Sequence, residues 1–185
     1  MNDTLKLLFE QDREEHASPM VAGSSEYDRL RLRDSKRRRI VKVEHAEGRL
    51  VEPEDFYRAA WILNHGDNAA EAELAYQLAR QSMDAGYGPA KWLFAAAYDR
   101  WCMYSGMPQK FGTQIVPDGR RYRLWDVDPE TSDDERKQYD VPSLQEMRER
   151  AARESAELAQ PPMDKAPAWL LAAVKRWEKA EGPHQ

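Results

Sequence analysis

Cysteine is nearly absent from this chain of 185 residues: Cys102 is the single one. That excludes an intrachain disulfide and any metal site built from several thiolates. Flanked by Trp101 and Met103, it reads as a small core residue. No run approaches the roughly 18 apolar residues that a membrane span requires. The N-terminal stretch MNDTLKLLFEQDREEH turns acidic before a signal-peptide core could form, so the expected location is cytoplasmic. An excess of basic charge is missing as well. The formal net charge is -5, which argues against a general nucleic-acid binder. A dense basic run does occur, from Arg29 through Arg31, Arg33, Lys36, Arg37 and Arg38 to Arg39, but Asp28 and Asp34 interrupt it and stacking aromatics are lacking. It reads as a solvated helix face in preference to a phosphate site.

Local catalytic signatures are also lacking. His16, His45, His65 and His184 show no ligand spacing, and HxxxH, HExxH, GxSxG and Gly-rich phosphate loops do not occur. On sequence grounds neither a metal nor a cofactor is expected.

What is present is helix. Leu5, Leu8 and Phe9 give a short amphipathic opening, and a polar break follows through Ser18, Pro19 and Gly23. A charged helix runs from about 26 to 46 and stops at Gly48. Pro53 begins EPEDFYRAAWILNH, with Glu54 and Asp55 in the first turn, where the helix dipole favours carboxylates. AAEAELAYQLARQSMDAG closes at Gly86, and PAKWLFAAAYDRWCMYSG closes at Gly106. Short Gly-containing links between three consecutive helices imply antiparallel packing. The small-residue and aromatic pattern resembles a single helical hairpin of Sel1 and tetratricopeptide type, too few units for a solenoid.

Around Pro117-Asp118-Gly119 the pattern alternates, predicting a small β-hairpin within 114–126 that lies across the helices as a flap. Ser132 with Glu135 and Ser143 with Glu146 are capping-box pairs, each starting a further helix. The expected fold is therefore mainly α, a compact bundle of antiparallel helices with one small β-hairpin. Residues 1–160 form the helical domain. Residues 161–185 form a C-terminal helix or tail, free to pack on the body, on a protein partner or on a second copy.

The stretch YDRWCMYSGMPQKFGTQ, residues 98–114, concentrates polar groups among aromatic and sulfur-bearing ones. Buried polar groups need partners, so such a segment builds either a polar network or a binding site. Asp34-x-x-Arg37-Arg38, DFYRAAWILNHG, AYDRWCMYSGMPQKFGTQ and DDERKQYDVPSL together resemble a bacterial domain-of-unknown-function family, DUF6624. The resemblance spans roughly residues 10–150. It departs at Asn64, where the family pattern has glutamine before the histidine. It implies no activity and supports only the position of a site.

The candidate site that follows has His65 as acid or base, favoured in its charged form at a helix C-terminus. Asp99 would be its orienting partner, or would hold an arginine of the basic run. Arg100 would clamp a carboxylate or phosphate, since adjacent helical residues point about 100° apart and cannot pair with each other. Gln109, Thr113 and Gln114 would position the ligand, with Arg38 and Tyr98 also lining it. Two functions fit. One is a small-molecule-binding protein or cofactor-independent enzyme doing hydrolase, cyclase or lyase acid/base chemistry. The other is a protein-protein interaction module whose polar network, including Asp12, Arg13, Asp34 and Arg38, is structural.

Overall fold

The computed structural model describes residues 2–18, 20 and 23–182. Pro19 of the expected polar break, and His184, lie outside the described residues. Eight α-helices and one two-stranded hairpin are found among the described residues, so the fold is mainly α as expected.

Helix starts follow the side chains that serve them. Helix α1 (Asp3–Glu15) is capped by Asn2, whose Oδ1 accepts from the Leu5 amide at 3.1 Å. The same Asn2 donates through Nδ2 to Glu44 at 2.7 Å and through its backbone amide to Asp55 at 2.9 Å. One residue thereby ties the start of α1 to the end of α2 (Ser25–Ala46) and the start of α3 (Pro53–Leu63). Pro53 sits in the first turn of α3, where its missing N–H is not needed, and Asp55 accepts from the Glu52 amide at 3.1 Å. Asn68 caps α4 (Ala69–Asp84), and α5 (Ala90–Tyr104) follows after a short turn.

Alanine sets how closely α3, α4 and α5 approach. Ala59, Ala60, Ala75, Ala79 and Ala97 are fully buried, and Leu5, Val41, Ile62, Leu63, Leu78 and Leu93 fill the space around them. Aromatic edges of Phe9, Tyr57 and Trp61 close this core on the α1 side.

Strands β1 (Ile115–Pro117) and β2 (Tyr122–Leu124) pair antiparallel, with Ile115 opposite Leu124. Two short helices, α6 (Asp133–Gln138) and α7 (Leu144–Glu157), follow. Ser155 of α7 receives the Tyr122 amide at 2.8 Å and donates to the Tyr122 carbonyl at 2.9 Å, so α7 covers the β2 edge. Helix α8 (Ala168–Glu181) closes the other side. Its Leu170, Ala173 and Trp177 join Met103, Val116 and Trp125 in a second core, and Trp177 Nε1 donates to Asp126 at 2.7 Å. The C-terminal helix thus packs on the hairpin and on the end of α5. No helix among the described residues is long and apolar enough to cross a membrane.

Candidate functional site

The residues expected in one site divide into two groups. Asp99, Gln109, Thr113 and Gln114 form the first, which is saturated with its own bonds. Asp99 is fully buried on α5. Its Oδ1 accepts from the amides of Lys110 and Phe111, both at 2.8 Å, and its Oδ2 accepts from the Thr113 amide at 2.9 Å and hydroxyl at 2.8 Å. Burial pushes the Asp99 carboxyl up from its ordinary value, and these four donors oppose that rise. Gln109 donates to the carbonyls of Gln114 and Trp125 and accepts from the Gln114 amide at 2.7 Å. Gln114 donates onward to the Ala96 carbonyl at 3.0 Å. Gly112, at φ +87, supplies the turn that lets this loop wrap one carboxylate. Arg136, buried, donates to the Phe111 and Thr131 carbonyls. These bonds close the loop on itself and fix it to α5, to the end of the hairpin and to α6. Asp99 therefore does not orient His65.

Tyr98 belongs with this scaffold. Its ring lies 5.4 Å from Tyr76 and 5.5 Å from Trp101, within an aromatic stack that includes Phe94 and Phe111. Burial pushes the neighbouring Cys102 thiol up to about 12, the Asp99 charge adding to it, so it stays protonated and inert.

The second group gathers around His65. Helix α1 delivers Asp12 and, just past its end, His16. Helix α2 delivers Asp34, Arg37 and Arg38. His65 follows α3, and Arg100 comes from α5. The imidazoles of His16 and His65 stack with centroids 4.0 Å apart and planes 8° from parallel. Asp12 lies beneath them, fully buried, and its Oδ2 accepts from Trp61 Nε1 at 3.0 Å. His65 Nε2 lies 3.1 Å from the same oxygen, a polar contact that favours the protonated ring. Asp12 Oδ1 lacks a hydrogen bond; its neighbours are Arg37 Nη1 at 3.8 Å and His16 Nε2 at 3.9 Å. Asp34 Oδ1 takes His16 at 3.3 Å and Arg37 at 2.9 Å, while Oδ2 takes Arg31 at 3.1 Å.

Around this centre the charges are matched. Asp12, Glu15, Asp34, Asp67 and Glu71 face Arg31, Arg33, Arg37, Arg38 and Lys42 in one connected web. Arg38, buried, also donates to the His65 carbonyl at 3.0 Å and so holds the backbone that presents the imidazole. Much of the basic run is thus an internal strut and not a solvated face. Arg100 stands outside the web: among the described residues it meets no carboxylate, and its buried Nε has no hydrogen-bond partner. It still acts electrostatically on His65. Burial holds the His65 imidazole below its ordinary pKa, and the nearby charges of His16 and Arg100 add to that depression against the pull of Asp12. His65 is consequently a neutral base at neutral pH. Burial would raise the Asp34 carboxyl, but the bond from His16 and the charge of Arg31 outweigh it and hold it low.

Sequence reasoning placed Asp12 and Asp34 in a structural network and passed over His16 and Arg37 as site residues. The available signal was the i,i+4 spacing of Asp12 and His16 in the last turns of α1, which puts both on one helical face. Ligand spacing along the chain was the wrong guide. His16 and His65 are separated by two helices, α2 and α3, and meet only in the fold. Gly66 permits that meeting: a Cβ there would lie 2.6 Å from Glu71 Cβ and 2.9 Å from the Leu63 carbonyl.

No family model, no curated protein and no solved structure matches this chain.

Proposed function

We propose that this protein binds a small anionic molecule over the stacked histidines and performs proton transfer on it. Arg100 is the anion clamp and the His65–Asp12 pair the base. The observation that supports this reading most is the Arg100 guanidinium, which meets no carboxylate among the described residues, beside an imidazole that burial holds neutral. A cation that meets no carboxylate among the described residues, next to an imidazole free to accept a proton, is a pairing that suits carboxylate or phosphate substrates. His16 and His65 are each about a quarter exposed, so a ligand reaches the imidazoles from solvent. The segments that carry the resemblance to DUF6624 contribute Asp34, Arg37, Arg38, His65 and Arg100 to this place. They contribute Asp99, Gln109, Thr113 and Gln114 to the loop behind it. Hydrolytic, cyclising and eliminating chemistries all use such a base, and a cytoplasmic metabolite fits the reading.

A protein-interaction role draws on a different observation. Leu32, Ile40 and Val43 lie exposed along α2, with Leu7 exposed on α1. That surface, and not the packed Trp face of α8, would be the one to meet a partner.

A thermal-shift screen with small carboxylates and phosphates separates the readings. The parent should gain stability with one ligand class, by about 2.7 kcal/mol at a hundredfold excess over Kd. Arg100→Gln should retain its own midpoint and lose the shift. Absence of any shift in the parent would leave the interaction reading in place.

A further inference from the structure

Donor atoms of Asp12 and His16, at the end of α1, and of His65, after α3, lie together in the histidine cluster. We propose that Asp12, His16 and His65 form a binding site for a divalent first-row transition ion of the zinc type, an inference that rests on the reading of this cluster as the functional site. One ligand atom from each residue lies within 4.8 Å of the other two. Around a tetrahedral zinc at roughly 2.0–2.1 Å, donors sit about 3.3 Å apart. The imidazoles stack with planes 8° from parallel, so the rings must tilt out of the stack for their in-plane lone pairs to meet at one ion. His65 Nε2 lies 3.1 Å from Asp12 Oδ2, and His16 Nε2 lies 3.9 Å from Asp12 Oδ1.

The state of the donors points to a ligand independently of their spacing. Asp12 has no exposed side-chain surface, yet its Oδ1 makes no hydrogen bond, a costly arrangement for a buried carboxylate. His65 Nε2 faces the same carboxylate, 3.1 Å from Oδ2. A cation shared by the two meets that need. The helix ends add to this. His16 caps the C-terminus of α1 and His65 follows that of α3, and the carbonyl ends of two helices favour positive charge between them. Trp61 Nε1 holds Asp12 Oδ2, a support of the kind that orients a ligand. His16 Nε2 bonds Asp34 Oδ1 at 3.3 Å, a contact that the ion would replace.

Two imidazole nitrogens and one carboxylate oxygen suit zinc and neighbouring ions over magnesium or calcium, which prefer all-oxygen shells. Three protein ligands leave a position open for water or for an anionic group of the ligand. Arg100, uncommitted beside the cluster, would face that group. Arg37 remains with Glu15 and Asp34, so its charge is neutralised within the web. With an ion bound, His65 would be a ligand, and the base would be the hydroxide that the ion's bound water becomes on losing a proton, in place of the His65–Asp12 pair.

The test is titration of untagged, chelator-treated protein with Co²⁺ read by visible absorption, followed by displacement with Zn²⁺. One ion per chain is expected, with ligand-field bands of a low-coordinate nitrogen and oxygen site. His16→Gln and His65→Gln should each weaken binding by about tenfold or more, whereas His45→Gln should bind as the parent does. His16, at the end of α1 and partly exposed, is the variant that keeps the fold if His65→Gln does not. A parent that takes up no ion, or a His16→Gln protein that binds as tightly as the parent, overturns the inference. Inorganic phosphate titrated into metal-free and metal-loaded protein separates this from the anion site. Ion binding without phosphate binding leaves the metal site and removes the anion reading, and the converse removes the metal.

Discussion

Asp99 and His65 both read in the sequence as polar residues set among apolar ones, and the structure gives them opposite roles. Asp99 uses both oxygens, twice each, to hold the 110–113 loop. Asp99→Asn replaces one acceptor with an NH₂ facing donors, and should cost about 2–4 kcal/mol in urea unfolding. A variant as stable as the parent would show that the loop does not depend on this carboxylate. The sequence carried enough to single out the residue, because burial of an aspartate in an aromatic helix demands donors. It did not show that the donors would be backbone amides of the next loop, which depends on Gly112 adopting a left-handed turn. His65 was legible as a helix-ending histidine. Its partners, Asp12 and His16, were not, because ion-pair geometry between distant helices leaves no periodic trace along the chain.

Elements were read more fully than contacts. The Pro53 start, the Gly86 and Gly106 stops, the hairpin around Asp118-Gly119 and the capping-box serines at 132 and 143 all mark real boundaries, since each rests on a local backbone requirement. The charged helix α2 was placed correctly, but its environment was not: Asp34, Arg37 and Arg38 are buried. Alternating charge looks the same whether it faces water or a web of opposite charges. The turn from α3 to α4 sets where His65 points, and Gly66 is the residue that fits it. Gly66→Ala must displace Glu71 or the Leu63 carbonyl, so it should destabilise by about 1–3 kcal/mol and weaken ligand or metal binding together. A variant with unaltered stability and binding would mean that the turn has slack.

At the scale of the whole molecule, the web joining α1, α2, α3 and α4 makes stability depend on pH in two separate windows. His65 is held below its ordinary pKa, so its neutral form stabilises the fold fully above the unfolded value of about 6.5. As pH falls below that value, the unfolded chain gains a proton that the folded chain resists, and stability drops. Glu15, Asp34 and Asp55 are held low despite burial, Glu15 and Asp34 by their charged partners and Asp55 chiefly by backbone amides. Their contribution disappears only below about pH 4.5, as they protonate. Urea midpoints measured from about pH 7.5 to 5 should therefore decline in the parent and decline less in His65→Gln. Equal slopes would mean that His65 is not held neutral. The division into a helical body and a C-terminal tail was a reading of composition at Pro161-Pro162. The packing of Trp177 against Trp125, 5.5 Å between centroids, depends on the hairpin presenting Trp125 to α8 and was not visible from the chain alone.

The account turns on Arg100 being a cation kept for a ligand. Calorimetric titration of the parent and of Arg100→Gln with the carboxylate or phosphate that gives the largest thermal shift tests this most directly. The account predicts one-to-one binding by the parent and a loss of about tenfold or more in the variant, with both proteins equally stable without ligand. Equal affinities in the two proteins would contradict it.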